Sequence, residues 1–259
     1  MRNRWITFVE SEGEAIGLAC CRPFLENKYV NDIFFEGLFN GRPCIVKCSS
    51  KAPDSILNEY EINKRLYGVD PEVFPEPFAV HAGPMAFVVT EKLAGADRLV
   101  APVDDILRMA RALEKTGIVH RDVQLNLLAS ADGHLRLIDF QFAIDRNNYR
   151  ESEFMQTHWK YLYTVFGVHR QLGIGRWCDI TSFIAVLQRM KYDGWEAAVD
   201  MLRGKERRME FSAHFTPVQK AKFFLYAASL WLQSHFGWKP VKKAVAADRL
   251  AILKTAFLT

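Results

Sequence analysis

The stretch Val119–Ala143, VHRDVQLNLLASADGHLRLIDFQFA, sets two aspartates, Asp122 and Asp139, inside apolar runs suited to burial. Between the runs lies SADGH, and its Asp132-Gly133 pair is a tight-turn signal, because glycine tolerates the positive φ that such a turn requires. The pattern predicts a short β-hairpin. Each aspartate lies on the far side of its strand from the turn, so the hairpin would carry both to the same end. Two carboxylates in an apolar setting repel one another and are poorly solvated, unless they share a divalent cation or handle a proton. The stretch therefore predicts chemistry at the mouth of a hairpin.

Working outward, the texture of the chain changes along its length. Up to about Thr90 it reads as short strands with one helix: WITFV (5–9), then NDIFFEGLF (31–39) and PCIVKCS (43–49), parted by Asn40-Gly41-Arg42, a second hairpin signal. After Pro102 it reads as mostly helical. VDDILRMARALEKTG (103–117) places Ile106, Leu107, Ala110 and Leu113 on one face, acids in the first turn and Gly117 where a left-handed cap falls. CDITSFIAVLQRMKYDG (178–194) and VQKAKFFLYAASLWLQSHFG (218–237) repeat that pattern, each ending at a glycine, and the aromatic run of the second reads as helical core rather than as a membrane anchor. EKLAGADRLVAP (91–102) is a link. The expected fold class is α+β, with a small antiparallel β-rich lobe over residues 1–93 and a larger, mainly helical lobe over 94–259.

With 259 residues, 49% of them hydrophobic, the chain can bury a sizeable core. No charge-free apolar run reaches the roughly 18 residues of a membrane span, and no leader pattern opens the sequence, so a cytoplasmic protein is expected. The five cysteines form no CxxC pair, and Cys44 and Cys48 flank the apolar IVK, which suits small buried thiols better than a disulfide or zinc site. The net charge of +4 is uneven. Residues 201–259 hold eleven Lys or Arg against three acids, a net +8, which leaves −4 for the first 200. Such a segment either attracts an anionic membrane or a phosphorylated partner, or is a solvated basic face. Nothing in it calls for nucleic acid, and a monomer is expected.

The residues carry a resemblance. HRD at His120–Asp122, Asn126 shortly after, and IDF at Ile138–Phe140 resemble the catalytic and magnesium-binding loops of the protein-kinase-like superfamily. CIVK resembles the third-strand lysine motif, ILNEYEINKRL the C-helix, and AFVVTEKLAG the fifth strand and hinge, all in the family's order. The resemblance covers roughly residues 30–145 and implies a bilobal kinase-like fold binding ATP and Mg²⁺. It implies Lys47 on the α- and β-phosphates, and Glu59 pairing with that lysine. Glu61 competes for the pairing, and the flanking Ile56 and Ile62 favour Glu59. Thr90 would gate the adenine pocket, Glu91 to Leu93 would offer backbone hydrogen bonds to adenine, and Asp139 and Asn126 would hold the metal. The catalytic loop would supply Asp122 as base, with Arg121 beside it and Gln124 near the γ-phosphate, while His120 packs.

Beyond residue 145 the resemblance fades. With no APE motif and no long activation segment, the chain resembles the compact bacterial kinases of lipopolysaccharide core sugars, of the heptose and Kdo type, rather than a regulated protein kinase. The acceptor implied is a sugar or envelope glycolipid, with peripheral contact to the inner membrane through the basic C-terminal segment. Three features depart from the family pattern. No GxGxxG precedes Lys47, so the phosphate-covering turn is assigned to LENKYVN (25–31). Asn126 stands four residues after Asp122 where five is usual. DFG has become DFQ, so Gln141 predicts a fixed loop rather than a switching one. Together these keep open a second class, a pseudokinase serving as a nucleotide-binding or scaffolding module, and a kinase for another small molecule or a protein.

Overall fold

Strand alternation in PCIVKCS sets the plan of the sheet. In the computed structural model this segment is strand β3 (Arg42–Ser49), with Cys44, Val46 and Cys48 fully buried. Successive side chains of a strand point to opposite faces, so Ile45 and Lys47 lie on the other side. Residues 2–27, 32–49, 53–96, 98–120, 122–123, 126–141, 143–145 and 179–205 are described here, with Leu225, Ala228, Trp231, Leu232, His235 and Phe236.

β3 is central in a five-stranded antiparallel sheet with β1 (Leu18–Asn27), β2 (Asp32–Phe39), β4 (Pro77–His81) and β5 (Ala86–Glu91), in the order β1-β2-β3-β5-β4. The β2–β3 hairpin turns at Asn40 and Gly41, both at positive φ, as the Asn-Gly pair predicts. One sheet face gathers Cys44, Val46 and Cys48 with Phe35, Phe87 and Val89 into a core. The Cys44 and Cys48 thiols are buried, and burial pushes the Cys44 thiol up to about 12. The opposite face holds Ala86 and Val88 against Ile56 of helix α2 (Pro53–Tyr67).

WITFV is not a strand. It belongs to helix α1 (Arg2–Glu14), whose buried positions are Trp5, Val9 and Gly13, spaced by four, while Arg4, Glu10, Ser11, Glu12 and Glu14 stand exposed. A five-residue apolar window fits either period. The helical one emerges only when the polar residues up to Glu14 are counted. Trp5 and Val9 close the first core, with Trp5 edge-on to Phe8 at 5.8 Å.

Helix α3 (Pro102–Thr116) carries acids in its first turn and caps at Gly117, φ 71, as expected. Its buried face holds Ile106, Met109, Ala110 and Leu113, with Leu107 only partly buried. Strand β6 (Ile118–Val119) follows and pairs with β9 (Ile144–Asp145). Between them β7 (Leu127–Ala129) and β8 (Leu135–Leu137) form the hairpin predicted from the opening stretch, turning at Gly133, φ 84. The buried Asp105 of α3 anchors this hairpin. Its carboxylate accepts the Leu135 N–H at 2.8 Å and lies 3.0 Å from His134 Nδ1.

Residues 1–120 and 125–145 form one compact unit, and residues 121–124 and 146–259 a second. In the second unit α4 (Asp179–Met190) and α5 (Trp195–Leu202) pack against each other, and Phe183, Val186 and Leu187 of α4 and Ala198, Val199 and Leu202 of α5 are buried. α4 ends before Gly194. Lys191 takes the left-handed conformation at φ 51, and Gly194 opens α5. Leu225, Trp231, Leu232 and Phe236, helical residues of the aromatic run, are 45–70% exposed, so the face they share is not the core expected of it. Helical spacing defines a face but not what covers it. Among the described residues no helix is long and apolar enough to cross a membrane.

Truncating the Trp5 ring by Trp5→Ala should lower unfolding stability by about 3–5 kcal/mol, the range for a large buried aromatic. The exposed Phe24→Ala should change it by no more than about 0.5 kcal/mol. Urea midpoints of the two variants check this, and equal midpoints would show that α1 does not close the core.

Candidate functional site

Helix α2 is amphipathic in an unusual way. Ile56, Ile62 and Leu66 bury an apolar stripe, and beside it Ser55, Glu59 and Asn63, spaced i, i+4, i+8, are also buried. Residues four apart share a helix face, so α2 presents a polar line to the interior. The Lys47 ammonium reaches that line from β3, donating to Glu59 Oε2 at 2.8 Å, with both side chains under 10% exposed. Glu61, the competing acid, is exposed.

Lys47 Nζ also donates to Asp139 Oδ1 at 2.6 Å. Burial raises the Asp139 carboxyl, but the Lys47 charge and hydrogen bond, helped by His120 and by the backbone N–H of Gln141, prevail and hold it below the usual carboxylate range. Asp139 is in the left-handed region at φ 64, a conformation that costs free energy for any residue with a Cβ and persists only when neighbours impose it. Lys47 therefore faces two carboxylates, one from α2 and one from beyond the hairpin.

These groups wall a cavity of about 370 Å³. Its polar wall is Lys47, Glu59, Asn63, Asn126 and Asp139. Its apolar walls include Phe34, Ile45, Val88 and Ile138, with Thr90 to Leu93 along one edge and the exposed Phe24 beside it. Asn126 arrives through the hairpin, where its carbonyl accepts the Ile138 N–H at 2.9 Å, one step beyond the Leu127–Leu137 pair. Thr90 follows Val88 on the same face of β5. The N–H groups of Glu91 and Lys92 are already committed, to the Glu76 carbonyl at 2.9 Å and the Pro43 carbonyl at 3.1 Å. Donors to a ligand along this edge therefore begin at Leu93. The Glu91 carboxylate is held by Arg136 at 2.9 Å.

Of the residues expected from sequence, Lys47, Glu59, Thr90, Glu91, Leu93, Asn126 and Asp139 thus line one cavity. His120 packs edge-on against Phe140 at 4.9 Å, and its Nε2 lies 2.8 Å from the Ile138 carbonyl oxygen. Asp122 belongs to the second unit and is partly buried. Arg121 and Gln124 lie outside the described residues, as do residues 28–31 of LENKYVN. Asn63, Phe24 and Phe34 were not anticipated. Asn63 could have been, from its spacing with Ser55 and Glu59. Its Oδ1 is buried at the cavity wall without a hydrogen-bond partner among the described residues. Phe34 stands directly across from Lys47 in the β2–β3 register, its ring centroid 6.0 Å from Nζ.

The chemistry of this wall suits a polyanion and a small hard cation together. The ammonium is a phosphate-sized donor, and the second carboxylate with the Asn126 side chain offers oxygen ligands. Among the described residues no cluster of three or more His, Cys, Asp or Glu is set to hold a metal unaided. Mg²⁺ does not need one, since it is commonly bound through one or two carboxylates plus substrate phosphates and water. Searched against models of known protein families and against curated proteins, the chain matches none.

Because the folded Asp139 carboxyl lies below its unfolded value, its contribution to stability is complete above about pH 4 and fades as pH falls through the folded value. The stability gap between wild type and Asp139→Asn should be widest at neutral pH and shrink as the solution is acidified from about pH 5 towards 2. Urea unfolding at a series of pH values measures it, and a gap independent of pH would mean that Lys47 does not hold the carboxylate.

Proposed function

We propose that this chain is an ATP- and Mg²⁺-dependent phosphotransferase of bilobal, protein-kinase-like fold, moving the γ-phosphate to a hydroxyl of a sugar, on a lipopolysaccharide core or a related envelope glycolipid. The observation that carries the reading is the buried Lys47 shared between Glu59 on α2 and Asp139 beyond the hairpin, at the wall of one cavity. A cavity of about 370 Å³ is within the range of small-molecule sites.

Phosphoryl transfer asks a protein mainly for positioning and for charge stabilisation. Lys47, steered by Glu59, orients the α- and β-phosphates. Asp139 and Asn126 hold Mg²⁺, which when bound neutralises charge on the β- and γ-phosphates. Thr90 bounds the adenine pocket and Leu93 supplies its backbone donor. Asp122 accepts the hydrogen bond of the acceptor hydroxyl and, late in the reaction, its proton. Gln124 lies near the γ-phosphate in place of a lysine, and Arg121 flanks the base. The protein works as a cytoplasmic monomer and touches the inner membrane peripherally. The exposed Leu225, Trp231, Leu232 and Phe236, within a segment of net charge +8, support that contact.

Mg²⁺ with ATP should stabilise the protein by about 2.7 kcal/mol at a hundredfold excess over Kd. ATP with EDTA should do much less, because the triphosphate then meets the Asp139 carboxylate unscreened. Asp139→Ala should remove the difference. With labelled ATP and a panel of core oligosaccharides, free sugars, aminoglycosides and a generic protein, a sugar acceptor should be labelled. Asp122→Asn should cut that turnover by roughly 100-fold at unchanged ATP affinity. Thermal shifts alike with Mg²⁺ and EDTA, or absent in both, would overturn the catalytic reading in favour of a binding module.

Cosedimentation with vesicles tests the membrane contact. Binding to anionic vesicles should fall steeply between low and physiological salt, each nearby basic side chain contributing about 1 kcal/mol. Equal binding to neutral and anionic vesicles would leave the basic segment as a solvated face.

A further inference from the structure

The segment after Asp139 is tied to α2 by side chains that the proposed chemistry does not use. Gln141, 3% exposed, donates from Nε2 to Ser55 Oγ at 2.9 Å. Asn58 Nδ2 donates to the Ala143 carbonyl at 3.0 Å and lies 3.4 Å from the carbonyls of Phe140 and Gln141. Ser55 stands one helical turn before Glu59, on the same face. Along the chain Gln141 follows Asp139 by only two residues.

These contacts close a ring. It runs from Lys47 to Glu59, along one turn of α2 to Ser55, across to the Gln141 side chain, back along the backbone to Asp139, and from Asp139 to Lys47. A glycine at position 141 would leave the ring open, having neither the amide that reaches Ser55 nor the backbone restriction that a side chain imposes.

We propose that Gln141 is a positioning residue, which by hydrogen-bonding Ser55 holds Asp139 and Glu59 together on Lys47, so that the site stands assembled without a modification or partner to order it. Asn58 supports the same segment from the next position of the helix face. The idea rests on the phosphotransferase reading for its purpose but not for its geometry. In a switching enzyme the acid swings on a mobile backbone. Here the helix that carries one acid also fastens the other, so helix and loop move as one.

The full-length protein, labelled with ¹⁵N at lysine, tests this without turnover, the Lys47 ammonium signal being assigned by its loss in Lys47→Met. In Gln141→Ala and in Ser55→Ala the Lys47 ammonium protons should exchange with solvent faster, because the acids that shield them part more often. The double variant should exchange no faster than either single one, since both break the same bond. Phe35→Leu, in the core of the opposite sheet face, should leave the rate in place, which separates loss of the ring from general loosening. Affinity for Mg²⁺ with ATP should weaken about fivefold in Gln141→Ala, the scale of one buried hydrogen bond. A rate unchanged in both single variants, additive changes in the double one, or an equal change in Phe35→Leu would overturn the ring. If the rates rise as expected while Mg²⁺ with ATP binds to no variant, the ring stands and the phosphotransferase reading falls. If labelled phosphate is transferred while the rates stay put, the reverse holds.

Discussion

A single buried ammonium organises this protein. Lys47 is under 10% exposed and can be tolerated there only because carboxylates meet it within 3 Å from two directions. Each partner arrives by a different route, Glu59 on a helix laid across the sheet and Asp139 from beyond a hairpin anchored by α3. To satisfy one charge, the fold must bring strand, helix and hairpin into register. The cavity is the space left at that junction.

Much of this was open to a reader of the sequence, because the pieces are local. Asn40-Gly41 and Asp132-Gly133 announce their turns, Gly117 its cap, and the alternation around Lys47 its strand. The pairing of Lys47 with Glu59 rather than Glu61 follows from the apolar neighbours that turn one acid inward. α1 was missed because a short apolar window does not distinguish a period of 2 from one of 3.6. Asn63 was missed because a polar residue on a mainly apolar face reads as a lapse in pattern, when with Ser55 and Glu59 it continues a second pattern.

The arrangement also explains why polar residues persist in such places. Ser55, Glu59, Asn63 and Gln141 are all nearly fully buried, and each would cost the fold dearly if unpartnered. Three of them lie in the ring, and the fourth lines the cavity. Polar burial on α2 is thus concentrated where a charged ligand would benefit from a low dielectric, since fixed groups shielded from water act on charge more strongly than the same groups in solvent.

The contacts that build the site are distant in sequence. Lys47 and Asp139 are 92 residues apart, Ser55 and Gln141 86, Asn58 and Ala143 85. Each closes a long loop of chain, whose entropy must be overcome before the contact returns any stabilisation. Such contacts are disfavoured early in folding, when local turns and helices form more readily. The chain therefore reaches its ligand-ready geometry late, with the closing of its most distant contacts, and a folding intermediate rich in native helix and hairpin would still lack the charge cluster on which binding depends.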